Sequence, residues 1–181
     1  MRPLLLSAVL LVCLASAQET PQLTKPAPDV QFVTQLPAPA VTVASGRPKR
    51  AELRFRIAAG DHINSNLPRS PLLIPTRLKL SPPTDLATGR ITYPPGRDLT
   101  FPFAPDEKLR VYTGEFSIGV QVAAARTASA GPYRVHGELQ YQACNDRQCF
   151  PPKKLPVVVD VKVVAAPSRS RNPGQSPHIH R

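Results

Sequence analysis

Past residue 17 the chain has no apolar run long enough to cross a bilayer, which takes about 20 residues. No membrane span is therefore expected in the mature protein. Sustained helical periodicity is also missing, and 23 prolines would interrupt most candidate helices. The chain holds no Gly-rich phosphate loop, no nucleophile elbow and no spaced pair of carboxylates, so phosphoryl transfer, serine hydrolysis and glycoside cleavage are not indicated. No set of four Cys and His residues clusters as a zinc site requires; no metal and no cofactor is expected. Aromatic residues make up only 6% of the chain, and no basic stripe carries interleaved aromatics. The formal charge of +11 thus reads as a solvated basic surface facing anionic envelope components, with no nucleic-acid partner. No internal repeat is visible.

What is present begins with a leader. Arg2 precedes an apolar stretch at residues 4–14, and Ala15-Ser16-Ala17 forms an A-x-A cleavage site before Gln18. Residues 1–17 read as a secretory signal peptide. Cys13 would suit lipid attachment only if Val12 were smaller. Cleavage removes Arg2 and Cys13, leaving a charge of +10 (11 minus 1) and two of the three cysteines. Residues 18–40 are rich in Pro, Gln, Thr and Ala and read as an extended linker. The basic segment at residues 166–181 has the same character; its His178 and His180 are not read as a metal site.

Between these lies a body at residues 41–165 that alternates apolar and polar positions with a period of two. Leu53, Phe55 and Ile57 alternate with Arg54 and Arg56; Leu78 and Leu80 flank Lys79. Phe116, Ile118, Val120 and Val122 form the cleanest run. Tyr133 to Tyr141 and Val157 to Val163 repeat the pattern. Proline and glycine clusters at Pro82-Pro83, Pro94-Pro95-Gly96 and Gly131-Pro132 separate the runs. Short half-buried strands between turns predict an all-β, antiparallel two-sheet sandwich. His62 is expected in a loop and His136 on a polar strand face, both solvated.

Cys144 and Cys149 sit in Tyr141-Gln-Ala-Cys-Asn-Asp-Arg-Gln-Cys-Phe-Pro-Pro-Lys153, between two strong strands. In an exported protein they should form a disulfide. A six-residue ring constrains the unfolded chain by only about 2 kcal/mol, so the bond suits exchange better than stapling. Arg147, Lys153 and Lys154 would favour a thiolate, and Asp146 opposes them. The alternative is a non-catalytic immunoglobulin-like binding or assembly module with a structural disulfide.

These residues carry a resemblance. Tyr141-Gln142, the close pair Cys144 and Cys149, Pro151-Pro152 and the hydrophobic strand from Leu155 resemble the N-terminal periplasmic domain of the thiol:disulfide interchange protein DsbD. Residues 112–122 look like the strand that precedes the active pair in that family. His62-Ile63-Asn64-Ser65-Asn66 followed by Pro68 resembles a loop of its standalone relatives. The resemblance covers residues 40–165. It implies an immunoglobulin-like sandwich in the periplasm, carrying a redox-active disulfide and needing no cofactor. The implied partners are periplasmic disulfide isomerases and thioredoxin-like proteins, with a separate membrane reductase as electron donor. The resemblance assigns the mixed disulfide to Cys149 and its resolution to Cys144. It also implies a cap loop over the pair, for which Asp106, Glu107, Leu109 and Tyr112 are the candidates; no phenylalanine falls at the capping position. The four residues between the cysteines are fewer than in the enterobacterial form.

Overall fold

The computed structural model describes residues 30–166. The signal segment, residues 18–29 of the linker and the tail from residue 167 lie outside the described residues, as do Cys13, His178 and His180.

The alternating runs become strands because period-two burial needs an extended backbone. Twelve strands are described, with no helix among them. β1 (Val33–Gln35), β3 (Lys49–Ile57), β6 (Leu86–Thr92) and β9 (Glu115–Ala124) make one sheet, in the order β1-β3-β9-β6. β2 (Val41–Ala44), β5 (Arg77–Ser81), β10 (Gly131–Tyr141) and β12 (Lys153–Val164) make a second, in the order β2-β12-β10-β5. On β3 the buried positions are Ala51, Leu53, Phe55 and Ile57. They meet Phe116, Ile118, Val120 and Val122 of β9 and Val157, Val159, Val161 and Val163 of β12 in one apolar cluster. Phe55 stacks on Phe116 at 5.2 Å between centroids. The result is an immunoglobulin-like β-sandwich whose core is the set of inward positions of both sheets.

Three features depart from the expected architecture. A third sheet is present, ordered β11-β4-β8-β7, from β4 (His62–Asn64), β7 (Arg97–Phe101), β8 (Ala104–Tyr112) and β11 (Ala143–Cys144). Its strands β4 and β11 are too short for period-two alternation to register. The pairing is also not wholly antiparallel, since β2 runs parallel to β12, with Val41 opposite Val161. The third departure is in the Pro-rich stretch assigned to the linker. It contributes β1, and Phe32 and Val33 within it are buried. Gln35 explains how this segment is held. Its Nε2 donates to the Val158 carbonyl at 2.7 Å and its Oε1 accepts from the Val158 amide at 3.0 Å. A single side chain from the first sheet thus satisfies a backbone unit on β12 of the second.

A chain beginning at residue 41 forfeits the burial of Phe32 and Val33 as well as both Gln35 bonds. Relative to a chain beginning at residue 30, it should lose about 3 kcal/mol or more of stability. Urea unfolding of the two at equal m-value measures this.

Candidate functional site

The cysteine pair closes a hairpin that the local sequence stabilises by itself. The Asn145 side-chain oxygen accepts from the amides of Arg147 and Gln148, both at 2.9 Å, as Asn does in tight turns. The Asn145 amide donates to the Gln148 carbonyl at 3.0 Å, and the Phe150 amide to the Ala143 carbonyl at 2.8 Å. Between these two bonds Cys144 and Cys149 face each other across the turn as an antiparallel bridge and are joined as a disulfide.

The two sulfur-bearing residues differ sharply in environment. Cys144 is fully buried, whereas Cys149 is exposed. Cys144 lies on β11 and pairs with His62 on β4. Directly opposed residues of an antiparallel ladder project to the same face, their Cβ atoms about 5 Å apart. Cys149, Cys144 and His62 therefore form one row across three backbone segments, running from solvent into the interior.

A polar clamp fixes this row. The Gln142 Nε2 donates to the Phe150 carbonyl at 3.2 Å, and its Oε1 accepts from Asn64 Nδ2 at 3.2 Å. Asn64 Nδ2 also donates to the Ile74 carbonyl at 3.1 Å, and Thr76 Oγ1 donates to the Asn64 carbonyl at 2.5 Å. The hairpin, β4 and the loop leading to β5 are thus tied at one point. That loop is held further by Arg69, which with Arg110 engages Asp98 at 2.5 and 3.0 Å. Hydrogen bonds from the two guanidinium groups hold the Asp98 carboxyl well below the usual carboxylate range.

His62 is neither in a loop nor solvated. It is only 2% exposed, and its Nε2 has no hydrogen-bond partner among the described residues. Its ring stacks on Phe101 at 3.8 Å, and Phe103 follows at 6.4 Å. Both phenylalanines belong to the turn joining β7 and β8, where Phe101 pairs with Ala104. Burial lowers the His62 pKa to about 4, because the charged imidazolium would be poorly solvated. The neutral ring is the resting state.

The residues proposed to cap or tune the pair, Asp106, Glu107, Leu109 and Tyr112, all lie on β8. Asp106 and Glu107 are exposed and lie on β8, where the ladder with β7 slips out of register. Leu109 is buried opposite Leu99. Tyr112 is buried against Phe116 at 5.0 Å, and its hydroxyl donates to Asn66 Oδ1 at 2.6 Å. His62 pairs with Cys144, and Phe101 and Phe103 are gathered on His62. The sequence signal for them was the Phe101-Pro102-Phe103 run and the position of His62 just before Ile63. Phe150 packs against the core and stacks on Phe32 at 4.6 Å. The Lys153 ammonium sits 5.6 Å over the Phe32 ring, and Lys154 pairs with Glu138 at 3.1 Å. Arg147 reaches only its neighbour Asp146, at 3.9 Å and largely exposed. No cluster of metal-ligating groups occurs among the described residues, and no described helix is long and apolar enough to cross a membrane.

A β-sandwich bearing a closely spaced disulfide, one cysteine exposed and the other buried, has the layout that thiol:disulfide exchange needs. The family model described as "Thiol:disulfide interchange protein DsbD, N-terminal" matches residues 29–160, and the chain belongs to that family. No curated protein matches the chain. Among solved structures it is similar to the reduced N-terminal domain of DsbD from Neisseria meningitidis, with 23% identity and a TM-score of 0.40; the match covers 61% of this chain and 76% of that one. It is also similar to the N-terminal periplasmic domain of ScsB from Proteus mirabilis, with 13% identity and a TM-score of 0.45. That match covers 75% of this chain and 48% of the ScsB chain, so this chain spans about half of its length.

The buried neutral histidine has a consequence for stability. With a folded pKa of about 4 against an ordinary 6.5, the unfolded chain takes up the His62 proton first as pH falls. Stability is complete above about pH 6.5 and should fall by up to about 3 kcal/mol as pH drops towards 4. His62→Phe should flatten that part of the profile. Urea midpoints of the oxidised protein and the variant across this range measure the difference.

Proposed function

We propose that the domain is a periplasmic carrier of reducing equivalents that works through the Cys144–Cys149 pair. The observation that supports this most directly is the asymmetry of the pair, an exposed Cys149 joined to a fully buried Cys144. Exchange requires one sulfur that a partner can reach and a second held in line to displace it. In the reduced domain Cys149 is the thiol that attacks a partner's disulfide, and Cys144 resolves the mixed disulfide by attacking the Cys149 Sγ. Two electrons pass to the partner, and the domain is left oxidised. Family membership supports partners of the thioredoxin-like and disulfide-isomerase kinds, with a membrane reductase returning the electrons. The cap function falls to the turn that carries Phe101 and Phe103. Its rings cover His62 on the buried side of the pair, in place of Asp106, Glu107, Leu109 and Tyr112.

A Cys144→Ser variant, reduced and mixed with periplasmic extract, should accumulate mixed disulfides at Cys149, while Cys149→Ser should accumulate far fewer. Limiting iodoacetamide on the reduced wild type should label Cys149 ahead of Cys144. Preferential labelling of Cys144 would reverse the roles. Equal slow labelling of both cysteines with no trapped partner would favour a structural disulfide.

A further inference from the structure

The row of residues running inward from solvent does not end at the disulfide. Its third member, His62, is buried, faces the same side as Cys144 and has an Nε2 that no described residue satisfies. A buried polar atom without a partner is destabilising, and a histidine serving only to pack under Phe101 could be replaced by an aromatic without that cost. Cys144 poses the complementary problem. It must become a thiolate to resolve a mixed disulfide, yet its site is fully buried and apolar burial raises a thiol's pKa.

We propose that His62 is the proton partner of Cys144, taking the thiol proton at Nε2 as Cys144 attacks Cys149. This rests on the carrier reading above. The step balances as follows. The Cys144 S–H bond breaks and its proton goes to Nε2. The sulfur's electron pair forms the Cys144–Cys149 bond, the bond from Cys149 to the partner breaks, and its electron pair leaves on the partner's sulfur. The proton then passes to that departing thiolate. In the disulfide state desolvation keeps the ring neutral. In the reduced state a Cys144 thiolate on the same face would stabilise the imidazolium.

The groups around His62 leave Cys144 as the ionisable neighbour on the facing strand β11. Just before β4 lies Asp61, whose own pKa burial raises. The β7–β8 turn brings Phe101 and Phe103, which do not titrate, and its acids Asp106 and Glu107 are exposed farther along β8.

The test follows the His62 ring by NMR in the whole chain, titrated in oxidised and reduced forms and in reduced Cys144→Ser. The midpoint should rise by about one unit or more on reduction of the wild type and stay low in Cys144→Ser. A second arm forms the glutathione adduct at Cys149 with oxidised glutathione and times its release by Cys144. His62→Gln should slow release at least about tenfold at pH 7 and weaken its pH dependence. Normal glutathione exchange with an unchanged His62 midpoint on reduction would overturn the inference alone. An exposed Cys149 that forms and loses no adduct in the wild type would overturn the carrier reading, and this inference with it. The NMR arm needs no substitution at His62, so poor folding of His62→Gln leaves the inference open to refutation.

Discussion

The Gln142 carboxamide donates to the Phe150 carbonyl on one side of the disulfide hairpin and accepts from Asn64 of β4 on the other. Both cysteines depend on these bonds for their surroundings. Gln142 holds the hairpin against β4, and that contact buries Cys144 while leaving Cys149 at the surface. Asn64 carries the constraint onward through Ile74 and Thr76 into the loop before β5. These are neutral, mostly part-buried hydrogen bonds, so losing one side leaves the other poorly satisfied. The site is therefore positioned by polar contacts specific to the third sheet, while the sandwich core supplies the platform.

That division bears on what the disulfide is for. The apolar cluster joins β3, β9, β10 and β12 without using either sulfur, and each fully buried Val, Leu or Phe in it contributes about 1.5–3 kcal/mol. The six-residue ring adds about 2 kcal/mol by constraining the unfolded chain. A domain whose core is built elsewhere can open and close such a ring without losing its fold, which a carrier must do in every cycle. Phe32 and Phe150, stacked at the hairpin's exit, attach the ring to the sandwich.

Much of this was legible in the alternation of residues 53–57, 116–122, 133–141 and 157–163, because burial on one face of a strand writes itself directly into sequence. The pairing of Cys144 with Cys149 was legible from their spacing and from the export that the leader-like segment suggests. The third sheet was not. β4 and β11 are three and two residues long, below the length at which periodicity is visible, and β4 buries His62, whose polarity suggested solvent. β1 was hidden by the prolines around it, since its anchorage runs through the Gln35 side chain to Val158, 123 residues away. The contact of the Phe101 turn with His62 was not legible, because stacking between residues so far apart in the chain leaves no local pattern.

The claim on which the account stands is that the bond between Cys144 and Cys149 is poised for exchange. Its equilibrium reduction potential, measured on the folded oxidised domain in glutathione buffers at pH 7, tests this most directly. The account predicts a value in the range of thioredoxins, glutaredoxins and protein disulfide isomerase, about −180 to −270 mV. A value below about −300 mV, where structural disulfides of secreted proteins lie, would contradict it.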